Sequence, residues 1–237
     1  MRYTLLEKTL KRIPLPIVIF FLIDIGLILM YVSYYGIATY YNKVDSTGRF
    51  YMNLMRVVDL DGESSFAAWF SSMQFYTIFL LGSIFAYHQI IFKKSSLVIL
   101  ILPAIFLLMS IDEAVQIHEW LGGVSDVLFP SRTRFDTIFE STGLWMFVIG
   151  IPFLLFFLWF IHSIKKDLVL HSKSLKKLVL GMLIMLSGAL GFEFLSNFAD
   201  SHILILDIVM EEGLEMIGAT IMLWAVYEMT IDYIHIS

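Results

Sequence analysis

The sequence predicts an all-α integral membrane protein with six transmembrane helices. Two observations carry that prediction. Of 237 residues, 59% are hydrophobic and only 16% charged, far from the composition of soluble domains. Several uncharged apolar runs also reach the roughly 20 residues that one helical crossing needs. A third observation bears on the site: one polar pattern occurs twice. Asp112, Gln116 and Glu119 repeat in order and spacing as Glu193, Asn197 and Asp200. Downstream, Asp136, Glu140 and Gly143 are matched by Glu211, Glu215 and Gly218.

The expected spans are 14–41, 65–92, 96–121, 137–163, 175–202 and 206–234. Strands are not expected, because an open sheet leaves its edge groups unsatisfied in lipid. The first run follows Arg2, Lys8, Lys11 and Arg12 but lacks a small-residue cleavage site, so it reads as a retained helix rather than a signal peptide. The chain is one polytopic domain over 1–237, with a cytoplasmic segment at 1–13 and an extracytoplasmic loop at 42–64. Residues 96–163 and 175–234 form two hairpin repeats. These hairpins are expected to build a four-helix core about a pseudo-twofold axis along the membrane normal.

Basic residues set the expected orientation. They precede the first span, join the second to the third (Lys93, Lys94), and join the fourth to the fifth (Lys165, Lys166, Lys173, Lys176, Lys177). Both termini are therefore expected in the cytoplasm, as in a bacterial inner-membrane protein. The loop at 42–64 has the size to form a partial lid. Tyr31, Tyr34, Tyr35, Tyr40, Tyr41 and Tyr51 read as an interfacial aromatic belt. Pro103 and Pro152 are expected to bend the third and fourth spans.

The orientation gives the acids a depth. At about 1.5 Å per residue, Asp112 lies about 27 Å from Lys94, and Glu193 about 24 Å from Lys177. Glu215 is about 27 Å from the inner end of the last span. Four helices thus deliver acids to the outer third of a hydrocarbon core about 30 Å thick. At 100° per residue, Asp112, Gln116 and Glu119 share a face, as do Glu193, Asn197 and Asp200. Asp207, Glu211, Glu215 and Gly218 form a stripe on the last helix, whereas Glu113, Glu212 and His118 fall off these faces unless the helix unwinds. Gly143 and Gly218 sit just below their acids, where a small residue admits close helix approach.

Some of these acids have an ordinary explanation. Asp136, Glu140, Asp207 and Glu211 occupy first turns, where the helix dipole favours negative charge. Glu119 and Asp200 lie near C-terminal ends, where it does not. Asp112, Glu193 and Glu215 lie too deep to be caps. Acids at such depth are costly and mark functional sites. Their convergence calls for protonation or a bound cation.

The expected metal ligands are Asp112, Glu119, Glu193, Asp200 and Glu215, joined by His118 and His202. Gln116, Asn197, Asp136 and Asp207 line the site, and Glu140 or Glu211 serves in catalysis as a ligand or proton carrier. The cofactor is a divalent ion. Oxygen ligands suit Ca, Mg or Mn, and added imidazoles admit Fe or Zn. No Glu-x-x-His motif of di-iron carboxylate bundles occurs. With no cysteine, thiolate ligation and cysteine catalysis are excluded. Asp24 stands alone at mid-membrane, and Gln74 is placed to complete the site.

Three functions follow as expectations. The first is a metal-dependent membrane enzyme acting on a lipid or other apolar substrate. The second is a cation or proton-coupled transporter, disfavoured by the uncharged inner halves of the last four spans. The third is a non-catalytic membrane subunit or sensor regulated by cation binding. The expected partners are the bilayer and a lipid substrate, not nucleic acid.

Overall fold

A computed structural model describes residues 13–41, 45–62, 64–93, 97–117, 120, 146–165, 171–196, 198 and 204–234. Every element among them is helical. Helix α1 is Leu15–Tyr40, and α2 is Ser46–Val57. Then come α3 (Phe66–Lys93), a 3-10 turn at Leu97–Leu100 and α4 (Ile101–Val115). A π turn at Met146–Gly150 leads into α5 (Ile151–Ile164). Helix α6 (Ser172–Leu186) runs into a second π turn, Ser187–Phe192, and a short α7, Glu193–Ser196. The final helix, α8, is Leu204–Ile234.

Five stretches are long and apolar enough to cross a membrane: Leu15–Tyr40, Phe66–Phe92, Leu97–Val115, Ser172–Phe192 and Ile205–Asp232. These fit an integral, multi-pass membrane protein. The expected span at 137–163 is described only from residue 146, and its α-helical part, Ile151–Ile164, is shorter than a crossing. Much of the expected repeat, including Asp136, Glu140 and Gly143, lies outside the described residues.

The sequence explains each element. On α1, buried Ile17, Asp24, Tyr31 and Ala38 recur every seven residues, while Leu15, Leu22 and Leu29 are exposed on the other side. That is one packing stripe and one lipid-facing stripe. Helix α8 is the hub. In its spanning window 56% of residues are buried, against 22% to 33% in the others. It packs on α6, α3 and α1. The main core joins Phe85, Leu102, Phe106, Phe160, Met182 and Met222 in the half of the bundle away from the acids.

Small residues set the closest crossings. A Cβ on Gly218 would lie 2.6 Å from the Gly181 carbonyl oxygen, and one on Gly181 2.7 Å from the Gly218 carbonyl oxygen. This is the close approach expected at Gly218. Helices α3 and α4 are tied by paired serines: Ser72 Oγ donates to the Ser110 carbonyl at 2.8 Å, and Ser110 Oγ to the Ser72 carbonyl at 3.0 Å. At the opposite end of the bundle, Lys177 Nζ lies 2.5 Å from Glu228 Oε1 and 3.7 Å from the Trp224 ring centroid, joining α6 to α8.

Three sequence expectations change. The loop at 42–64 contains a helix, α2, capped by Asp45, whose carboxylate accepts the Thr47 N–H at 3.3 Å. Arg49, Asn53 and Arg56 are exposed, while Met55, Val58 and Leu60 pack against Leu27 and Tyr31 of α1. The prolines do not fall in the interiors of the α-helices. Pro103 and Pro152 stand in the first turns of α4 and α5, just after non-α turns, where the missing N–H is tolerated. Finally, the helix expected over 96–121 ends as α4 at Val115, because Gln116 adopts the left-handed conformation (φ 58°, ψ 49°). Gln116 therefore does not continue the helical face of Asp112, and Glu119 lies outside the described residues.

Candidate functional site

The end of α4, the two π turns, α5, the middle of α8 and the segment after α2 surround a cavity of about 530 Å³. Six acids line it: Asp112 and Glu113 from α4, Glu211, Glu212 and Glu215 from α8, and Asp61 from the segment after α2. Most of the remaining lining is apolar: Ile105 and Leu108 of α4, Phe153 and Phe156 of α5, and Met185 and Leu190 from the α6 side. Along α4, lining residues run from Ile105 to Asp112, about 10 Å of helix rise. Polarity is thus graded along the expected membrane normal.

Local backbone features place these side chains. The Gln116 N–H donates to the Asp112 carbonyl at 2.6 Å as the chain turns left-handed, which ends α4 at the acid level. The second π turn presses on α8: a Cβ on Gly188 would lie 2.5 Å from the Glu211 carbonyl oxygen. Extra residues in a helical turn re-aim the side chains beside them, and such turns recur at functional sites. Here the same turn delivers Ala189 and Leu190 to the cavity wall. Gly62 closes the far side, its Cα so near Asp59 that an added Cβ would meet the Asp59 Cβ at 2.7 Å.

Four expected site residues line this one cavity: Asp112, Gln116, Glu211 and Glu215. Asp207, on the same helix, is half-buried and is not among its lining residues. Glu193 begins α7, and only its backbone is described. His118, Glu119, Asp136, Glu140, Asn197, Asp200 and His202 lie outside the described residues. Among the described residues, no three His, Asp or Glu side chains come together as a metal-holding group. Of the metal set expected from sequence, Asp112 and Glu215 line the cavity, and with the other described residues they do not make such a group.

Three lining acids fell outside the sequence reading. Glu113 and Glu212 were set aside as off-face, and Asp61 was read only as part of a loop. The cavity is wide enough to meet neighbouring residues on each helix, so a single stripe is too narrow a criterion. Behind Glu212, the acids Asp59 and Asp61 and the phenol of Tyr35 lie close enough to act on Tyr31 electrostatically. Asp59, outside the spans, is held above the usual carboxylate range, chiefly by burial; the Asp61 backbone N–H and the charge of Arg56 work the other way.

A second polar group lies beneath the site. Asp24, Gln74 and Thr220, from α1, α3 and α8, are all fully buried. Gln74 Nε2 donates to Asp24 Oδ1 at 2.9 Å and to Thr220 Oγ1 at 2.7 Å, and Thr220 Oγ1 donates to Asp24 Oδ2 at 2.7 Å. Gln74 Nε2 also approaches the Met216 carbonyl, at 3.4 Å, one residue from Glu215. Gln74 therefore serves Asp24 rather than the cavity, contrary to its expected place. Asp24 gains the partner on a neighbouring helix that its isolation called for.

No curated protein and no solved structure matches the chain. Residues 20–231, from within α1 to near the end of α8, match the family model described as a domain of unknown function, DUF8692, and the chain belongs to that family.

Proposed function

We propose that this protein is a membrane enzyme that takes a lipid or other apolar substrate into the acid-lined cavity and acts on it with the help of a divalent cation. One observation carries the reading: acids from α4 and α8 line a ligand-sized cavity whose remaining lining is mostly apolar. Cavities of this size with a few convergent polar groups are the usual form of a small-molecule site. Asp112 and Glu215 supply oxygen ligands from the described residues. Glu119, Glu193, Asp200, His118 and His202 complete the set from the neighbouring segments, as the repeated spacing supports. A cation held there would polarise a substrate oxygen or activate water. Glu211 or Glu140 carries the proton.

The repeat supports a pseudo-twofold core that brings the second acid set to the same level. The lysine-rich connections support an outward-facing cavity and cytoplasmic termini.

Elemental analysis of the purified full-length protein tests the proposal. Stoichiometric Mn, Fe or Zn that falls in Asp112→Ala and Glu215→Ala supports it. Wild-type protein that binds no divalent ion after incubation with each of them removes the metal-dependent enzyme. A weak, exchangeable Ca points instead to a sensor or regulated subunit.

A cation- or proton-coupled carrier is the second reading, and the buried Asp24 group favours it, because carriers place ionisable residues near the midplane. Against it, the Gly181–Gly218 crossing and the apolar core fill the bundle below the cavity. Cation-dependent uptake into vesicles reconstituted with the protein decides between the two.

A further inference from the structure

We infer that Asp24, Gln74 and Thr220 form a proton-binding site inside the bundle: Asp24 takes up and releases one proton in place, and the Thr220 hydroxyl turns between Asp24 and the Met216 carbonyl as it does so. The site is separate from the cavity acids and stands with or without a metal there. It does not rest on the carrier reading, but narrows it by naming the ion.

Asp24 has no counter-ion near it. The three side chains are fully buried. Between Leu15 and Tyr40 of α1, and between Leu204 and Ile234 of α8, the sequence has no Lys, Arg or His. On α3, His88 and Lys93 lie about 20 Å or more along the helix from Gln74. Arg49 and Arg56 of α2 are exposed, and Lys177 of α6 is held by Glu228, two turns below Thr220. The other ionisable groups on the elements around Asp24 are phenols and acids. Tyr31 stands seven residues along α1, and Glu212, Asp59 and Asp61 act on it. Glu215 lines the cavity one residue from Met216, and Tyr76 of α3 is exposed. A carboxylate buried without a cation is costly, and protonation removes that cost.

The ionised form is also provided for. Gln74 Nε2 stands among three oxygens, at 2.9 Å from Asp24 Oδ1, 2.7 Å from Thr220 Oγ1 and 3.4 Å from the Met216 carbonyl. Its other amide atom, Oε1, is buried and accepts nothing among the described residues. The amide thus leaves one acceptor unsatisfied while it aims a donor at Asp24. Turning it over would set Oε1 against the Met216 carbonyl. Thr220 supplies the second donor, at 2.7 Å. Two aimed donors support the charged carboxylate.

Passing between the two forms needs only a hydroxyl rotation. The proton comes from water and binds Asp24 Oδ2, which then donates to Thr220 Oγ1. The freed Thr220 O–H turns to the carbonyl four residues back, that of Met216, as Thr230 does to Val226 on the same helix at 2.8 Å. Gln74 keeps its bonds to Asp24 and Thr220 throughout. A metal ion does not suit the same place. Gln74 Nε2 already fills the point where the oxygens converge, and one carboxylate falls short of the ligand set that hard cations take. A proton needs no room.

Infrared difference spectroscopy of the full-length protein in lipid films, cycled between mildly acidic and mildly alkaline buffer, tests this. A carboxylic C=O band from Asp24 is expected in the acidic state, lost reversibly in the alkaline state and absent from Asp24→Asn. Thr220→Val should shift the band and Thr220→Ser should leave it in place, which decides the matter even if Asp24→Asn does not fold. The inference is overturned if no reversible carboxyl band responds to these variants, if Thr220→Val and Thr220→Ser act alike, or if sodium or magnesium at constant pH removes the band as alkali does. Uptake into vesicles separates this inference from the carrier reading. A titrating Asp24 in protein that carries nothing across keeps the proton site and removes the carrier; cation uptake with a silent Asp24 keeps the carrier and removes the proton site.

Discussion

Gly181 and Gly218 meet backbone to backbone, each carbonyl oxygen standing where the other residue's side chain would begin, at 2.7 and 2.6 Å. The contact fixes α6 on α8 directly below the acids, so the height of Glu215 against the second π turn depends on it. Backbone occupies the space on both sides, the Met222 nitrogen at 2.9 Å and the Met185 nitrogen at 2.7 Å adding to the carbonyls, although Met222 Cγ also stands 2.7 Å from the Gly181 position. Gly218→Ala and Gly181→Ala should each destabilise the protein by about 1–3 kcal/mol, the usual cost of overpacking. Gly26→Ala, where nothing lies within 4 Å, should be near neutral. Unfolding of the detergent-solubilised variants by heat or SDS checks the contrast. Equal effects at all three positions would remove the close crossing.

The Asp24 group predicts a different signature. Asp24 accepts from both Gln74 and Thr220, and all three are sealed from solvent. Asp24→Ala leaves donors without an acceptor in hydrocarbon, at a cost of about 1–3 kcal/mol. Thr220→Val removes one donor to Asp24 and one acceptor of Gln74, with little change of shape. The two losses should not add: a double-mutant cycle should give a coupling of about 0.5–3 kcal/mol, as for residues in one hydrogen-bond network. Additive losses would mean that the two side chains do not share a bond.

The spans were legible because hydropathy alone marks them: α1, α3 and α8 begin and end within two residues of the expected limits. The interruptions were not. Gln116 turns left-handed without glycine's freedom, and the two π turns carry no residue pattern that ordinary helix periodicity exposes. Helix α2 escaped notice because its twelve residues sit among acids and glycines that read as loop. In the site, Asp112, Glu211 and Glu215 were legible from depth and spacing. Glu113 and Glu212 were lost because an ideal wheel assigns each helix one narrow face, whereas a cavity touches a broader arc. The Asp24–Gln74–Thr220 group was hidden for another reason. Its members are 50 to 196 residues apart, and no local pattern links them.

Orientation is testable because the chain has no cysteine. Single cysteines at Asn53, exposed on α2, and at Lys173, exposed at the start of α6, lie on segments expected on opposite sides of the membrane. In intact cells a membrane-impermeant maleimide should label Asn53→Cys at once and Lys173→Cys only after permeabilisation. The reverse order would place the acid-lined cavity in the cytoplasmic leaflet and overturn the orientation drawn from lysine placement.

Asp59 gives a pH dependence whose sign is fixed. Burial raises its native value above the ordinary 3.8. Below 3.8 both folded and unfolded chains hold the proton, and Asp59 adds no pH dependence. Above it, the unfolded chain releases the proton while the native protein keeps it. Stability then falls with rising pH until the native carboxyl also ionises, and stays at the lower level beyond that. Asp59→Asn removes this term. The melting temperature of the wild type relative to Asp59→Asn should therefore drop as pH rises from about 4 and level off once Asp59 is ionised in both states. Gly62→Ala, which would push a Cβ onto Asp59, should alter that difference, because it shifts the carboxyl and the cavity wall together. A wild type that instead gains on Asp59→Asn as pH rises would mean that the Arg56 charge and the Asp61 N–H outweigh burial at this site.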